Sequence, residues 1–127
     1  MDSTDIQKYK KRSTASLKLQ AQKVFNKFIR ERDKGLPCIA CGKYATLQAG
    51  HFKSAGKFNH MRFMEENVHG QCVRCNYFEQ QSDTLYRNNL IKKIGQKAVD
   101  NLDTLAAQRT PAKTDRFYLI EIIEKYK

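Results

Sequence analysis

A chain of 127 residues, of which 40% are hydrophobic, is long enough for one folded domain and too apolar to be a disordered tail. Lys and Arg number 24 against 13 Asp and Glu, and the net charge of +11 predicts nucleic acid as a partner in preference to a surface charged only for solubility. No stretch is apolar enough for a membrane span and no signal peptide is recognised. We therefore expect a cytoplasmic protein with no membrane partner, in which cysteines bind metal rather than form disulfides.

The N-terminal part is basic and contains one long amphipathic helix. Residues 1–12 are expected to be a flexible basic arm, and residues 13–35 an N-terminal helix that Ser13 or Ser16 caps. Gly35 and Pro37 end this helix. Its apolar positions recur at helical spacing on one face: Leu17, Ala21, Val24, Phe25, Phe28 and Ile29.

The remainder divides into an irregular middle, 38–81, and a helical C-terminal part, 82–127. In the middle we expect short strands at 46–51 and 67–71, followed by a helix that starts just after Cys75. Residues 13–127 then form a single α+β domain that is mainly helical. Helical spacing predicts the C-terminal helices at 84–94 after a cap at Ser82 or Asp83, at 96–109, and from Thr114 or Asp115 onward.

All four cysteines lie in two Cys-x2-Cys pairs, Cys38 with Cys41 and Cys72 with Cys75. Each pair can bind one metal ion through a tight turn, and two pairs complete a tetrahedron of thiolates, which suits zinc. A redox motif would need no second pair, and two buried disulfides would be unusual in a cytoplasmic protein. The spacing therefore predicts a structural zinc ion that holds the middle segment together and takes no part in chemistry.

The segment between the two pairs contains all three histidines, and its sequence resembles the HNH (His-Me finger) nuclease motif. That motif has a histidine at the end of the first strand, an asparagine before the third cysteine, and an asparagine or histidine directly after the fourth. His51, Asn67 and Asn76 occupy these three places. The resemblance implies a zinc-stapled ββα-metal (His-Me finger) core, which the N-terminal helix and the C-terminal helices flank.

Hydrolysis of a phosphodiester requires these residue types. A neutral histidine can activate water near neutral pH, and a divalent cation stabilises the charge that develops on the phosphate. By resemblance, His51 is the general base, Asn76 supplies an amide oxygen to a catalytic Mg²⁺ or Mn²⁺, and Asn67 holds the loop that presents His51. The alternative for His51 is a structural histidine on a zinc hairpin, while His60 is expected on the surface.

One position departs from the HNH pattern. Many such enzymes carry a metal-binding aspartate directly before the base, and here that residue is Gly50. Asn76 could hold the ion alone with phosphate and water, or His69 or Gln48 could assist. His69 lies two residues after Asn67, so both side chains would face the same side of an extended strand. His69 is therefore a candidate for metal binding, for orienting the phosphate, or for packing alone.

The chain also resembles the phage NinG/Rap family of recombination endonucleases over about residues 15–123. The resemblance rests on Val24-Phe25, Phe28-Ile29-Arg30, Cys38-Ile39-Ala40-Cys41-Gly42, Ala49-Gly50-His51-Phe52, Arg62-Phe63, Asn67, His69, Gln71-Cys72-Val73-Arg74-Cys75-Asn76, Tyr86-Arg87 and Ile94-Gly95. It implies a structure-selective DNA endonuclease of the host-cell cytoplasm that cuts branched intermediates such as Holliday junctions and D-loops. It also implies that Ala-Gly-His stands where other HNH enzymes have Asp-His.

Basic residues of the arm, the first helix, the segment after His51 and the second cysteine pair are expected to hold DNA through its phosphates. These residues are Lys8, Lys10, Lys11, Arg12, Lys18, Lys23, Lys27, Arg30, Lys53, Lys57, Arg62 and Arg74. Leu119, Ile122 and Ile123 could form a homodimer contact or only close the core. A non-catalytic zinc-ribbon module and a site-specific HNH nuclease stay open as alternatives, but the ribbon does not account for His, Asn and Asn at the motif spacing.

Overall fold

The computed structural model describes residues 3–78, 82–112 and 115–127. Within them the helix-rich α+β class is confirmed, and the sheet consists of two antiparallel strands. No helix in the described part of the chain has the length and apolar character needed to cross a membrane. The helices are α1 (Ser3–Lys8), α2 (Thr14–Arg32), α3 (Val73–Tyr77), α4 (Ser82–Ile94), α5 (Gln96–Gln108) and α6 (Arg116–Tyr126), and the strands are β1 (Leu47–His51) and β2 (Val68–Cys72).

Helix α2 forms where the apolar spacing predicted it, with Ser13 as its N-cap. The Ser13 side chain accepts a hydrogen bond from the Ser16 backbone N–H at 3.1 Å, which satisfies one of the free amides of the first turn. The helix ends at Arg32 rather than at position 35, and the chain then passes through Gly35 with φ of +87°, a conformation that favours glycine. Its apolar stripe is buried: Leu17, Ala21, Phe25 and Ile29.

The expectation of a flexible arm at 1–12 is wrong for the residues from position 3 onward. Helix α1 is followed by Tyr9, which is buried, and whose hydroxyl donates to the Glu124 carboxylate at 2.8 Å. Arg116 donates to the backbone carbonyls of Tyr9 and Arg12 at 2.8 and 3.0 Å. The buried Tyr9 ring and these hydrogen bonds hold the segment on α6, although the charge pattern predicted that it would lie in solvent.

Helix α6 closes the core against α2. Leu119, Ile122 and Ile123 are all buried there, so these side chains are not available for the homodimer contact that the sequence left open. Asp115 caps the helix by accepting from the Tyr118 backbone N–H at 3.1 Å. The other predicted cap, Thr114, lies outside the described residues.

The β-hairpin carries the segment between the cysteine pairs. Its register places Gly50 opposite His69 and His51 opposite Val68. Helix α4 holds the end of β1, because the buried Tyr86 hydroxyl donates to the Gly50 carbonyl at 2.6 Å. Helix α3 begins at Val73, directly after β2 and three residues before the predicted start. Its start makes both Cys75 and Asn76 helical.

A buried ionic network joins α2 to the hairpin. The Asp33 side chain is only 3% exposed, accepts the Gly70 backbone N–H at 2.7 Å, and pairs with Arg32 at 2.9 Å and Lys93 at 3.1 Å. Burial alone would raise the pKa of Asp33, but the hydrogen bonds from Arg32 and Gly70 outweigh it and hold that pKa well below its usual range. The carboxylate is therefore ionised and fixes the middle of β2 to the C-terminal end of α2.

We predict that Asp33→Asn lowers the free energy of unfolding by about 3 kcal/mol, since it leaves Arg32 and Lys93 without their shared anion. Urea unfolding followed by circular dichroism measures the change. The control Glu121→Gln removes an exposed carboxylate and should change stability by less than about 0.5 kcal/mol. Equal stability of the two variants would contradict the assignment of Asp33 as an anchor.

Candidate functional site

The two cysteine pairs come together in a single cluster. The sulfur atoms of Cys38, Cys41, Cys72 and Cys75 all lie within 4.8 Å of one another, and the Cys41 and Cys72 sulfurs are 3.8 Å apart. Thiolates that surround a zinc ion tetrahedrally at about 2.3 Å are roughly 3.8 Å apart. The cluster could therefore hold a metal ion such as zinc.

Backbone geometry around the cysteines is that of a tight metal-binding turn. Gly42 takes a φ of +75° and its N–H donates to the Cys38 carbonyl at 3.0 Å, which closes the first turn. The Cys72 backbone N–H points at the Cys38 sulfur at 3.3 Å. The Ile39 N–H donates to the Gly70 carbonyl at 2.9 Å, so the first cysteine pair is hydrogen-bonded to β2.

A polar cleft of about 860 Å³ lies beside the hairpin. Its walls come from α2, from β1 and the segment after it, from α3 with the residues around it, and from α4. His51 at the end of β1 and Asn76 near the end of the short helix α3 both line it. The structure therefore brings together two residues that are far apart in the chain and that the sequence paired.

The His51 ring has one nitrogen engaged and one open. Its Nε2 lies 2.9 Å from the Arg62 carbonyl oxygen, which can only accept, so Nε2 carries the proton. The other nitrogen, Nδ1, makes no hydrogen bond within residues 3–78, 82–112 and 115–127, and in this tautomer it holds a lone pair. Burial lowers the pKa of His51, and the nearby Arg62 charge adds to the effect. The neutral imidazole is thus a base with a free acceptor nitrogen.

Asn67 is completely buried and holds the backbone that follows His51. Its side-chain oxygen accepts the Lys53 N–H at 2.8 Å, while its amide nitrogen donates to the carbonyls of Lys53 at 3.0 Å and Met61 at 3.1 Å. The Asn67 carbonyl also accepts the Phe52 N–H at 2.8 Å. These contacts are those of a residue that positions the His51 segment rather than one that touches substrate.

Asn76 is oriented by Gln48, which was a candidate for an additional metal ligand. The Asn76 amide nitrogen donates to the Gln48 side-chain oxygen at 3.0 Å. That bond leaves the Asn76 side-chain oxygen without a hydrogen bond in the described part of the chain. Gln48 thus uses its own oxygen to orient Asn76 and is not placed to ligate a cation with it.

His69 is not part of the cleft, which corrects its inclusion among the candidate active-site residues. The ring is only 2% exposed; Nε2 donates to the Glu66 carbonyl at 2.8 Å, and Nδ1 accepts from Lys93 at 2.9 Å. Burial and the Lys93 charge lower the pKa of His69 to about 4, so the ring is neutral. A metal ion would need the Nδ1 lone pair, which the ammonium group already occupies. His69 packs within the Asp33 network instead.

Part of the charge expected to bind DNA is used inside the protein. Lys8 pairs with Glu124 at 3.6 Å, Lys53 pairs with Asp103 at 2.7 Å, and the Arg12 side chain donates to residues of α2. These three contribute less to a phosphate-binding surface than their count suggested. Other basic candidates are exposed: Lys10, Lys11, Lys23, Lys27, Arg30, Lys57 and Arg74.

Three of the basic candidates line the cleft, namely Lys53, Lys57 and Arg62, and a fourth lies at its edge. The Arg62 guanidinium is held there by the side chains of Asn59 at 2.6 Å and Gln22 at 2.8 Å. Lys18 lies one helical turn before Gln22, on the side of α2 that borders the cleft. These positions suit contacts with the phosphates of a bound strand.

Sequence reasoning missed two residues of the cleft, Arg87 and Gln71. Arg87 donates to both carboxylate oxygens of Asp103 at 2.8 and 2.9 Å and lies over the Phe52 ring. Helical spacing could not show that this side of α4 faces the cleft. Gln71 could have been predicted from the sequence, because in a strand it shares a face with Asn67 and His69 and it directly precedes Cys72.

His60, expected on the surface, is half-buried and donates from Nε2 to the Leu105 carbonyl at 2.9 Å. It contacts α5 and does not line the cleft that contains His51. Its role is a contact between the loop and the C-terminal helices.

Comparison with known proteins identifies relatives of this chain. A family model described as "Bacteriophage Lambda NinG protein" matches residues 2–127. Proteins named "Protein ninG" from Escherichia phage lambda and Escherichia phage 933W are each 46% identical over 87 residues, and one from Salmonella phage P22 is 45% identical over 87 residues. Each match covers 67% of this chain and 43% of the relative, so the matched segment spans less than half of those proteins. No solved structure matches. The chain belongs to the phage NinG family.

Proposed function

We propose that this chain is a metal-dependent DNA endonuclease of the HNH (His-Me finger) type. The observation that carries the proposal is that a neutral imidazole with an open Nδ1, on His51, and an unpaired amide oxygen, on Asn76, line the same polar cleft. Two antiparallel strands followed at once by a helix, with His51 on the first strand and Asn76 on the helix, have the element order of the ββα-metal core. A non-catalytic zinc ribbon would not need either open group.

The reaction follows from the chemistry of the cleft. His51 Nδ1 removes a proton from water, and the oxygen attacks the phosphorus while the bond to the leaving oxygen breaks. Burial keeps the imidazole neutral before substrate arrives and the Arg62 charge adds to the effect, while the phosphate of bound DNA would offset that charge as His51 takes up the proton. The Asn76 oxygen would hold the divalent cation, Mg²⁺ or Mn²⁺, which when bound stabilises charge on the phosphate and the leaving oxygen.

DNA binding rests on the excess of basic side chains around this cleft. Arg62 and Lys57 within it, and Lys18 at its edge, would contact phosphates near the cut. Phosphate contacts position a duplex without reading its bases, which fits a nuclease that selects DNA by shape. Selection of branched recombination intermediates, such as Holliday junctions and D-loops, rests on the resemblance to recombination endonucleases. Paired cuts across a four-way junction would require two copies of the chain.

The cysteine cluster is proposed to bind one structural zinc ion. All four positions are thiols, so the site has no open place for water or substrate and its role is to hold the fold. It fixes the first cysteine pair to the junction between β2 and α3, from which Asn76 projects.

We predict that His51→Ala slows single-turnover cleavage of a labelled four-way junction in Mg²⁺ by about 100-fold or more, while DNA affinity stays within a few-fold. His60→Ala is the matched control, because each ring donates from Nε2 to a backbone carbonyl but only His51 lines the cleft. Linear and single-stranded DNA of the same sequence test branch selection. If His51→Ala cleaves at the wild-type rate, His51 is not the general base. If the wild-type protein binds DNA but does not cleave it, the chain is a DNA-binding module and not a nuclease.

We expect the cleavage rate to depend on pH through His51. Burial lowers its pKa below the ordinary value of 6.5, so the neutral, active form persists under mildly acidic conditions and is lost only as pH falls through the lowered pKa. The midpoint of the rise in single-turnover rate with pH, measured at fixed Mg²⁺, should therefore lie below pH 6.5. A rate that still rises tenfold for each pH unit above that value would be inconsistent with His51 as the titrating base.

We predict about one zinc per chain by elemental analysis, since four thiolates complete one tetrahedral site. Removing it with a chelator should abolish cooperative thermal unfolding of the hairpin region, and Cys72→Ser should do the same because it removes one ligand. His51→Ala should retain its zinc, which separates structural loss from catalytic loss. A folded wild-type protein with four reactive thiols and no metal would refute the assignment.

A further inference from the structure

We propose that Gln71 is a second protein ligand of the catalytic cation, and that it supplies the oxygen that a carboxylate at position 50 supplies in other HNH enzymes. The inference rests on the proposed nuclease function. Gln71 lies on β2, lines the cleft together with His51 and Asn76, and is not used by any contact of the fold described above.

The first argument is spatial. A Cβ atom added to Gly50 would lie 2.2 Å from the side-chain oxygen of Gln71 and 2.8 Å from its Cβ atom. Such distances are well inside van der Waals contact, so the Gln71 side chain occupies the space that any side chain at position 50 would need. An aspartate at 50 and a glutamine at 71 therefore exclude each other in this backbone, and a polar oxygen is delivered to the same place from the opposite strand.

The second argument comes from hydrogen bonding. Gln71 is only 4% exposed, yet its side-chain amide forms no hydrogen bond with any residue of the described ranges. Among those residues no buried side-chain nitrogen or oxygen lacks a partner, so the Gln71 amide atoms must reach the small solvent-accessible area at the cleft. An amide that is nearly buried and unpaired costs stability unless it binds something there.

The third argument is the arrangement of the neighbouring amides. Gln48 lies directly opposite Gln71 in the strand register and holds the Asn76 amide nitrogen, which leaves the oxygen of Asn76 open. Gln48 is thus a positioning residue, whereas the side-chain oxygens of Gln71 and Asn76 both lack a hydrogen bond to any described residue. Side-chain oxygens suit Mg²⁺ and Mn²⁺, which accept few protein ligands and take the rest from water and phosphate. Because both ligands are neutral, we expect DNA phosphate to strengthen cation binding.

The test measures Mn²⁺ binding directly, by the electron paramagnetic resonance signal of free Mn²⁺ in titrations of the zinc-loaded protein. Gln71→Met keeps the length of the side chain but removes its oxygen, and should raise the Kd for Mn²⁺ by about tenfold or more. Gln71→Glu supplies a charged oxygen and should lower that Kd. Gln96→Ala, which alters an exposed glutamine on α5, should leave it unchanged. Zinc content and circular dichroism verify that each variant is folded.

A second set of variants moves the proposed ligand oxygen from position 71 to position 50. Gly50→Asp combined with Gln71→Ala places a carboxylate in the space that the shortened side chain vacates, and should recover the Mn²⁺ affinity that Gln71→Ala alone loses. Gly50→Asp alone should be destabilised by the clash. Recovery would not occur if Gln71 only filled space.

The outcomes separate the two proposals. If Gln71→Met and Gln71→Glu bind Mn²⁺ as the wild type does, Gln71 is not a ligand of the cation. If cleavage still requires His51 in that case, the nuclease proposal is retained. If the wild type cleaves no DNA but binds Mn²⁺ in a Gln71-dependent way, the cation site stands and the nuclease falls.

Discussion

Closure of the cysteine cluster is the constraint on which the rest of the site depends. Cys72 ends β2 and Cys75 lies in α3, so bringing both beside the first pair fixes how α3 leaves the strand. Asn76 directly follows Cys75 and for that reason faces the cleft next to β1. Four thiolates at these distances would repel one another, so a cation bound between them would stabilise the geometry that positions Asn76.

Polar residues in and around the hairpin fall into two groups, according to whether every polar atom of the side chain already has a hydrogen-bond partner. Asn67, His69 and Asp33 are buried with every side-chain polar atom bonded, and they join the hairpin to α2 and to the segment after His51. His51 and Asn76 instead keep one open group each at the cleft. The residues with fully hydrogen-bonded side chains hold the backbone in place. His51 and Asn76 can therefore keep their open groups instead of pairing with each other.

The net charge of +11 does not translate directly into a DNA-binding surface. Arg32 and Lys93 share the buried Asp33, and Lys53 and Arg87 share Asp103. Lys53 and Arg87 lie in the wall of the cleft, and the Asp33 pairs lie outside it, whereas much of the charge on α2 stays exposed. Counting charges identifies the class of partner, but only their placement indicates which side would meet it.

Local sequence patterns were enough to predict part of the fold and of the candidate site. Cysteine spacing predicted one cluster, apolar spacing predicted α2 and the C-terminal helices, and the motif selected His51 and Asn76. Which polar groups already have a hydrogen-bond partner became visible in the folded chain alone. His69 lies outside the cleft, and its Nδ1 lone pair accepts a hydrogen bond from Lys93. The N-terminal segment is anchored through Tyr9. The fold also places Gln71 over Gly50. The reason is physical: periodicity assigns a side chain to a face, but the hydrogen bond or the space that it takes there depends on residues distant in the chain.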